Sequence, residues 1–528
     1  MNSRPLNHSL PRRLAAPLGL GLAAVLATST AMAQGQTVTT TAGEISGMAS
    51  EYDAGVQVFL GIPYGADTGG ENRFRPPQPV TPWEGTREAT KLGDACVGLG
   101  YPPFLMPEEG ADLDTSPMSE DCLRLNVWTP ATDDGKRAVM VWFHGGGYTS
   151  GSGGSVRYDG TNLAKKQDVV LVTVNHRLGA LGFMDLSAVG GDPDSGNAGM
   201  LDIVQALQWV QDNIAAFGGD PERVMVFGES GGGGKVTTLL SMPGAKGLFQ
   251  RAVAESGLQQ GGIPAEAGQK TAAEVMETLG VADVAALQAV PTEDLLKAGG
   301  NWGPVIGPSF PRGPFQPDVD TLSADVPLII GSNATEAVFF NVTPVDPLPD
   351  DAALKEAFAK NPFAGSIPAE NVDSLLASYG EIFPKKAPHE LLQVIATDAW
   401  MTGQVQATAD ARSGAGQPTW VYHFAMPQGA RDGKLGAPHT AEIAYVFDNL
   451  DLSTALVGEP DDDDRALAGL VSSYWATFAK TGMPAADGGP DWPQWTPENR
   501  AVLVLDADTG VETDPFSARL DALGAARN

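Results

Sequence analysis

Arg223-Val224-Met225-Val226-Phe227-Gly228-Glu229-Ser230-Gly231-Gly232 passes from a short apolar, β-branched run into a glycine-flanked serine, and a helix is expected to begin near Gly232. A strand, a sharp turn and a helix in that order lift a serine hydroxyl out of the backbone crowd. The flanking glycines serve a G-x-S-x-G turn in which the central residue is strained and neighbouring chains approach closely. The pattern occurs once in the chain, so Ser230 is the candidate nucleophile. A phosphate-binding loop is excluded for the same segment, because position 229 is Glu where Gly is needed and position 236 is Val where Ser or Thr is needed.

Working outward, buried strands are expected over 137–143, 168–174, 223–227, 250–254, 326–330 and 419–424. Between them, Ile203, Ala206, Leu207, Val210 and Ile214 recur at helical spacing within 201–217. Strands alternating with helices imply an α/β fold with a large, mostly parallel central sheet flanked by helices. Catalytic groups then gather at the carboxyl ends of the strands.

A serine hydroxyl needs a base, an orienting acid and donors for the developing oxyanion. His144-Gly145-Gly146-Gly147 follows the strand ending in Phe143, so Gly146 and Gly147 are candidate donors, with the Gly231 N–H as the third. Of six histidines, His8 lies in the leader, His144 in the glycine loop and His423 mid-strand as an expected core residue. His389 beside Glu390 reads as a solvated surface histidine and His176 beside Arg177 as a structural one. His439 sits in a loop before an apolar segment and is the candidate base. Glu336, just past the strand 326–330, is the candidate acid, with Glu442 next in line.

The remaining composition narrows the partners. There are 33 Lys and Arg against 64 Asp and Glu, a net charge of −31, with no basic stripe to neutralise phosphates. Nucleic acid is not an expected partner, and neutral or cationic small molecules suit this field better than polyanions. Residues 1–33 read as a signal peptide: Arg4, Arg12 and Arg13 precede an apolar run over 14–27 and then Ala31-Met32-Ala33 before Gln34. The run is too short to be a membrane anchor, so a periplasmic or extracellular protein without stable membrane insertion is expected, with residues 34–528 as one domain. Cys96 and Cys122, the only cysteines, are expected to pair in that oxidising setting, restraining the loop by about 3 kcal/mol. The acidic run 461–464 reads as a solvated loop and lacks the ligand spacing of an EF-hand.

These motifs, together with Phe59-Leu60-Gly61-Ile62-Pro63-Tyr64, Glu120-Asp121-Cys122, Asn175-His176-Arg177 and Phe217-Gly218-Gly219-Asp220-Pro221, resemble the type-B carboxylesterase family over nearly the whole mature chain. The resemblance implies an α/β-hydrolase fold and a secreted serine ester hydrolase without cofactor or metal, acting through an acyl-enzyme on a small-molecule ester. It places the triad on Ser230, Glu336 and His439, the oxyanion hole on Gly146, Gly147 and Gly231, and a disulfide on Cys96–Cys122. Short-chain or bulky esters are the expected substrates. Alternatives are an interfacial lipase, an esterase for tricarballylate-type esters, and a non-catalytic adhesion homologue, which is disfavoured because every triad position is kept. Cholinesterase chemistry is disfavoured too, since 97–121 offers only Tyr101 and Phe104 as aromatics and no Trp. Departures are Gly231 where relatives usually carry Ala, His176 where they carry Tyr, and Ala337 where many carry Gly; loss of the methyl at 231 is expected to loosen the elbow or widen the pocket. Trp302, Phe310, Arg312, Phe315 and Trp400 are candidate pocket residues, Arg312 as a partner for a substrate carboxylate.

Overall fold

The computed structural model describes residues 36–100, 105–108 and 114–527. The segment 1–33, read from sequence as a signal peptide, and the aromatics Tyr101 and Phe104 lie outside these. Eleven strands form the central sheet: β1 (Met48–Ala49), β2 (Gln57–Pro63), β3 (Arg124–Thr129), β4 (Arg137–Phe143), β5 (Val170–Val174), β6 (Gly219–Glu229), β7 (Arg251–Glu255), β8 (Leu328–Asn333), β9 (Thr419–Phe424), β10 (Ala501–Leu505) and β11 (Gly510–Thr513). Their spatial order is β11-β10-β9-β8-β7-β6-β4-β5-β3-β2-β1. The run from β10 to β5 is parallel throughout, and the outer strands are antiparallel.

Alternate residues along each central strand face opposite sides, as the pleat requires. Val139, Val141, Val226, Ala252 and Ile330 pack on one face with Ile203, Leu207 and Val236. Met140, Trp142, Phe227, Val253 and Ile329 pack on the other with Val471, Trp475 and Phe478. Two apolar faces explain why these strands read as unbroken hydrophobic runs. The helices behind them are α1 (Ala198–Asn213), α2 (Gly231–Leu239) and α3 (Asp462–Thr481).

The chain order places the site. From β4 the path moves to β5 on one side and then returns to β6 on the other, so the sheet switches direction between β4 and β6. Crevices open at such points beyond the carboxyl ends of the strands. Phe143 at the end of β4 is in register with Gly228 near the end of β6. The two glycine-rich turns therefore emerge side by side.

Three expectations are corrected. The fifth strand begins at Val170 because Asp168 takes a left-handed conformation, φ 46°, at the end of the preceding helix. The acidic run is not a loop: Asp461 caps α3, accepting from the N–H of Asp463 and Asp464, and three carboxylates in the first turn favour the helix dipole. His389 is buried, held in the first turn of the helix Pro388–Thr397. His423 lies in the core with its ring edge on Phe516, although its Nδ1 has no hydrogen-bond partner among the described residues. Cys96 and Cys122 form a disulfide, both side chains buried, with Cα atoms 4.9 Å apart.

Candidate active site

Ser230 occupies the turn between β6 and α2 with φ 57° and ψ −121°. A non-glycine residue there costs on the order of 1–3 kcal/mol, which the surrounding chains must hold in place. They do so by close approach. The Ser230 N–H donates to the Glu255 carbonyl at 2.8 Å, and a Cβ on Gly232 would stand 2.0 Å from the Phe143 carbonyl oxygen. Only glycine fits such a gap, so the sequence pattern and the strain share one cause.

His439 reaches the same place from a distant loop. That loop is tied to the end of β8: the Thr335 N–H donates to the Ala437 carbonyl at 2.9 Å and Asn333 Nδ2 to the Pro438 carbonyl at 2.8 Å. Glu336 starts the short helix after β8 and is fully buried. Its Oε2 is 2.6 Å from His439 Nδ1, while its Oε1 accepts from the Asn333 N–H at 2.7 Å. Both carboxylate oxygens are thus engaged, which fixes the ring's orientation. Glu442 is occupied elsewhere, by Asn333 Nδ2 at 2.6 Å, Ser256 Oγ at 3.0 Å and Tyr422 OH at 3.1 Å.

His439 Nε2 lies 3.1 Å from Glu229 Oε1, without hydrogen-bond geometry, and Ser230 and His439 are not hydrogen-bonded to each other in this resting arrangement. Burial alone would lower the imidazole pKa, but the carboxylates of Glu229 and Glu336 outweigh it and raise the pKa to about 9. Glu229 is the residue the sequence reading passed over, although it sits inside the nucleophile motif itself. Aromatic rings wall the imidazole, with Phe339, Trp400 and Phe340 centred 5.1, 5.2 and 5.8 Å from it.

The glycine loop stands opposite. Gly146 and Gly147 are exposed, with φ of 84° and 61° that only glycine adopts freely, and among the described residues their N–H groups donate to no other group. Gly231 opens α2, where a first-turn N–H has no partner within the helix. A Cβ on Gly231 would meet the Gly147 carbonyl oxygen at 2.2 Å and Gly147 Cα at 2.5 Å. The missing methyl therefore does not widen the pocket, since the Gly147 backbone stands where the methyl would be. A cavity of about 250 Å³ adjoins the site, bounded by Gly145, Gly146, Glu229, Phe339, Thr440 and Leu99.

Of the other candidates, Trp400 does reach the site, Phe310 and Phe315 are core, and Trp302 is half-buried near Gly179. Arg312 pairs with Asp318, donating to its carbonyl oxygen at 2.7 Å, so its guanidinium is engaged in its own loop. His176 stacks on His144 with ring centroids 4.8 Å apart, a structural role as expected. Among the described residues, no three His, Cys, Asp or Glu side chains group as a metal site.

A switch-point elbow with an adjoining glycine loop defines the α/β-hydrolase fold, and the chain belongs to the carboxylesterase family, whose model matches residues 34–523. It is a carboxylic ester hydrolase. It is similar to the para-nitrobenzyl esterase of Bacillus subtilis, 34% identical with 92% of this chain and 98% of that one covered. It is also similar to the fumonisin B1 esterase of Sphingopyxis macrogoltabida, 33% identical over 87% and 85% of the two chains. A carboxylesterase structure from Geobacillus stearothermophilus superposes with a TM-score of 0.77 at 33% identity, covering 92% of this chain and 99% of its own.

Proposed function

We propose that this protein is an exported serine carboxylesterase, with residues 34–528 as a single domain, acting on short-chain or bulky carboxylic esters. The observation that carries the reading is the 2.6 Å contact of Glu336 with His439 Nδ1, made beside a strained serine and the Gly146 and Gly147 N–H groups, which donate to no other group among the described residues.

Each step follows from these positions. Substrate binding brings the Ser230 hydroxyl into hydrogen-bond range of His439 Nε2, a contact that commonly closes only in the substrate complex. His439 takes the proton as Oγ bonds to the ester carbonyl carbon, and the negative charge on the carbonyl oxygen is held by the N–H groups of Gly146, Gly147 and Gly231. The C–O bond to the alcohol then breaks, and His439 returns the proton to the departing oxygen. Water adds to the acyl-enzyme by the same route and releases the acid. Glu336 keeps Nδ1 protonated and stabilises the imidazolium.

The rings of Phe339, Phe340 and Trp400 around the histidine support an apolar, bulky acyl or alcohol group. The self-paired Arg312 argues against its use for a tricarballylate-like carboxylate. The apolar leader and the Cys96–Cys122 disulfide support export to an oxidising compartment. The test is hydrolysis of p-nitrophenyl esters from acetate to palmitate by wild type and Ser230→Ala. A maximum at short chains, lost in the variant, is expected. A maximum at palmitate that appears only above the substrate's solubility limit would shift the reading to an interfacial lipase.

A further inference from the structure

The helix that carries Ser230 touches the glycine loop at a second point. One turn beyond Gly231, Lys235 is wholly buried, and its Nζ donates to the His144 carbonyl at 2.8 Å. The same ammonium lies 5.7 Å from the centre of the Tyr148 ring. His144 and Tyr148 are the two ends of the segment that holds Gly146 and Gly147.

Burying an ammonium is costly: burial pushes the Lys235 pKa down to about 7, with the Glu229 carboxylate opposing the shift. A methionine would fill nearly the same volume without that cost, so packing does not account for the charge. The loop's own bonds, from Thr149 N–H and Ser150 N–H to the Gly146 carbonyl at 3.3 and 3.1 Å, fix its shape. They do not fix its distance from Ser230. Lys235 and Gly231 stand on the same face of α2, four residues apart; Gly231 lies against the Gly147 backbone and Lys235 holds the His144 carbonyl.

We propose that Lys235 is the positioning residue of the oxyanion loop, tying the His144 carbonyl to the nucleophile's helix so that the Gly146 and Gly147 N–H groups stand at a fixed distance from Ser230. This rests on the reading of Ser230 and the glycine loop given above. Lys235 touches no reacting atom and acts through the peptide it holds. Its effect belongs to the transition state, because the oxyanion forms only there.

The test compares wild type, Lys235→Met, Lys235→Gln and Ser230→Ala on p-nitrophenyl butyrate, with a thermal melt of each. It also measures inhibition by an aryl trifluoromethyl ketone. Ser Oγ adds to the ketone carbon, the serine proton passes to His439, and the resulting hemiketal oxygen is anionic, so the ketone reports on the hole directly. A displacement near 1 Å costs about 10²-fold. Lys235→Met is expected to lose about that factor in kcat, with KM within twofold and ketone affinity weakened in parallel. Lys235→Gln, which keeps a donor on a shorter stem, is expected to fall between. Folded variants with kcat and ketone affinity within threefold of wild type would overturn the inference, as would a loss confined to KM. Unfolding of both variants would overturn it too, making Lys235 a requirement of the fold. If the ketone fails on wild type and Ser230→Ala still turns over ester, the serine reading falls and takes this inference with it. If wild type is inhibited and Ser230→Ala is inactive while Lys235→Met matches wild type, the Lys235 inference falls alone.

Discussion

Gly231→Ala adds one methyl group at the point where the elbow and the glycine loop meet. In the structure that carbon would stand 2.2 Å from the Gly147 carbonyl oxygen, 2.5 Å from its Cα and 2.6 Å from its carbonyl carbon. Ordinary contact needs about 3.4 Å, so the loop has to retreat by about 1 Å. All three obstructing atoms are backbone, so no side chain can swing aside. Displacing donors by that distance costs about 10²-fold, close to the 2.7 kcal/mol at the low end for losing one oxyanion donor. Stability should move the other way or not at all, because Ala is the better helix residue by about 0.5–1 kcal/mol and the loop is exposed. Steady-state kinetics on p-nitrophenyl butyrate, beside a thermal melt, separate the two effects. The expected result is kcat down about a hundredfold at unchanged KM and an unchanged or slightly raised Tm. A folded Gly231→Ala with kcat within threefold of wild type would refute the reasoning and show that the loop yields without loss.

Other perturbations have equally definite outcomes. Glu336→Gln should cut kcat by orders of magnitude, since the amide cannot stabilise the imidazolium; a near-wild-type rate would move the acid role to Glu442. The pH profile follows from His439, whose pKa is held near 9 by Glu229 and Glu336 against the effect of burial. Only the neutral ring accepts the serine proton, so kcat/KM should rise with pH and level off above that value. Glu229→Gln removes one of the raising charges and should shift the inflection to lower pH; an unmoved inflection would contradict the assignment. Replacing Cys96 and Cys122 together by Ser should lower stability by about 3 kcal/mol, read as a reduced Tm, with kcat of the folded protein little changed.

How much of this was legible in the sequence depended on the range of the cause. Ser230, Gly146 and Gly147 are constrained by their own backbone, and glycine at a crowded or positive-φ position leaves a mark that one strand and one turn suffice to read. Glu336 was found because the end of β8 is local information, even though His439 comes from a loop 103 residues further on. The capping role of Asp461 is equally local, an acid followed three residues later by another, but in a run of four acids the pattern is masked by charge that suits a solvated loop as well. His389 looked solvated beside Glu390, but burial is set by what packs over a helix and leaves no mark on its neighbours in sequence. Glu229 stands inside the motif and Lys235 three residues past its last glycine. Their directions, toward His439 and beneath His144, are tertiary facts that spacing does not encode. The outer antiparallel strands β1, β2, β3 and β11 are not among the expected strands, and neither is the parallel strand β10, although its run Ala501–Leu505 is apolar throughout.

The central claim is that ester turnover passes through an acyl group on Ser230. Rapid acid quench during turnover of a slowly deacylating p-nitrophenyl ester, followed by peptide mass spectrometry, tests it most directly. One acyl group per chain on the peptide containing Ser230, absent in Ser230→Ala, is the predicted result. Turnover with no acyl adduct, or with the adduct on another residue, would contradict it.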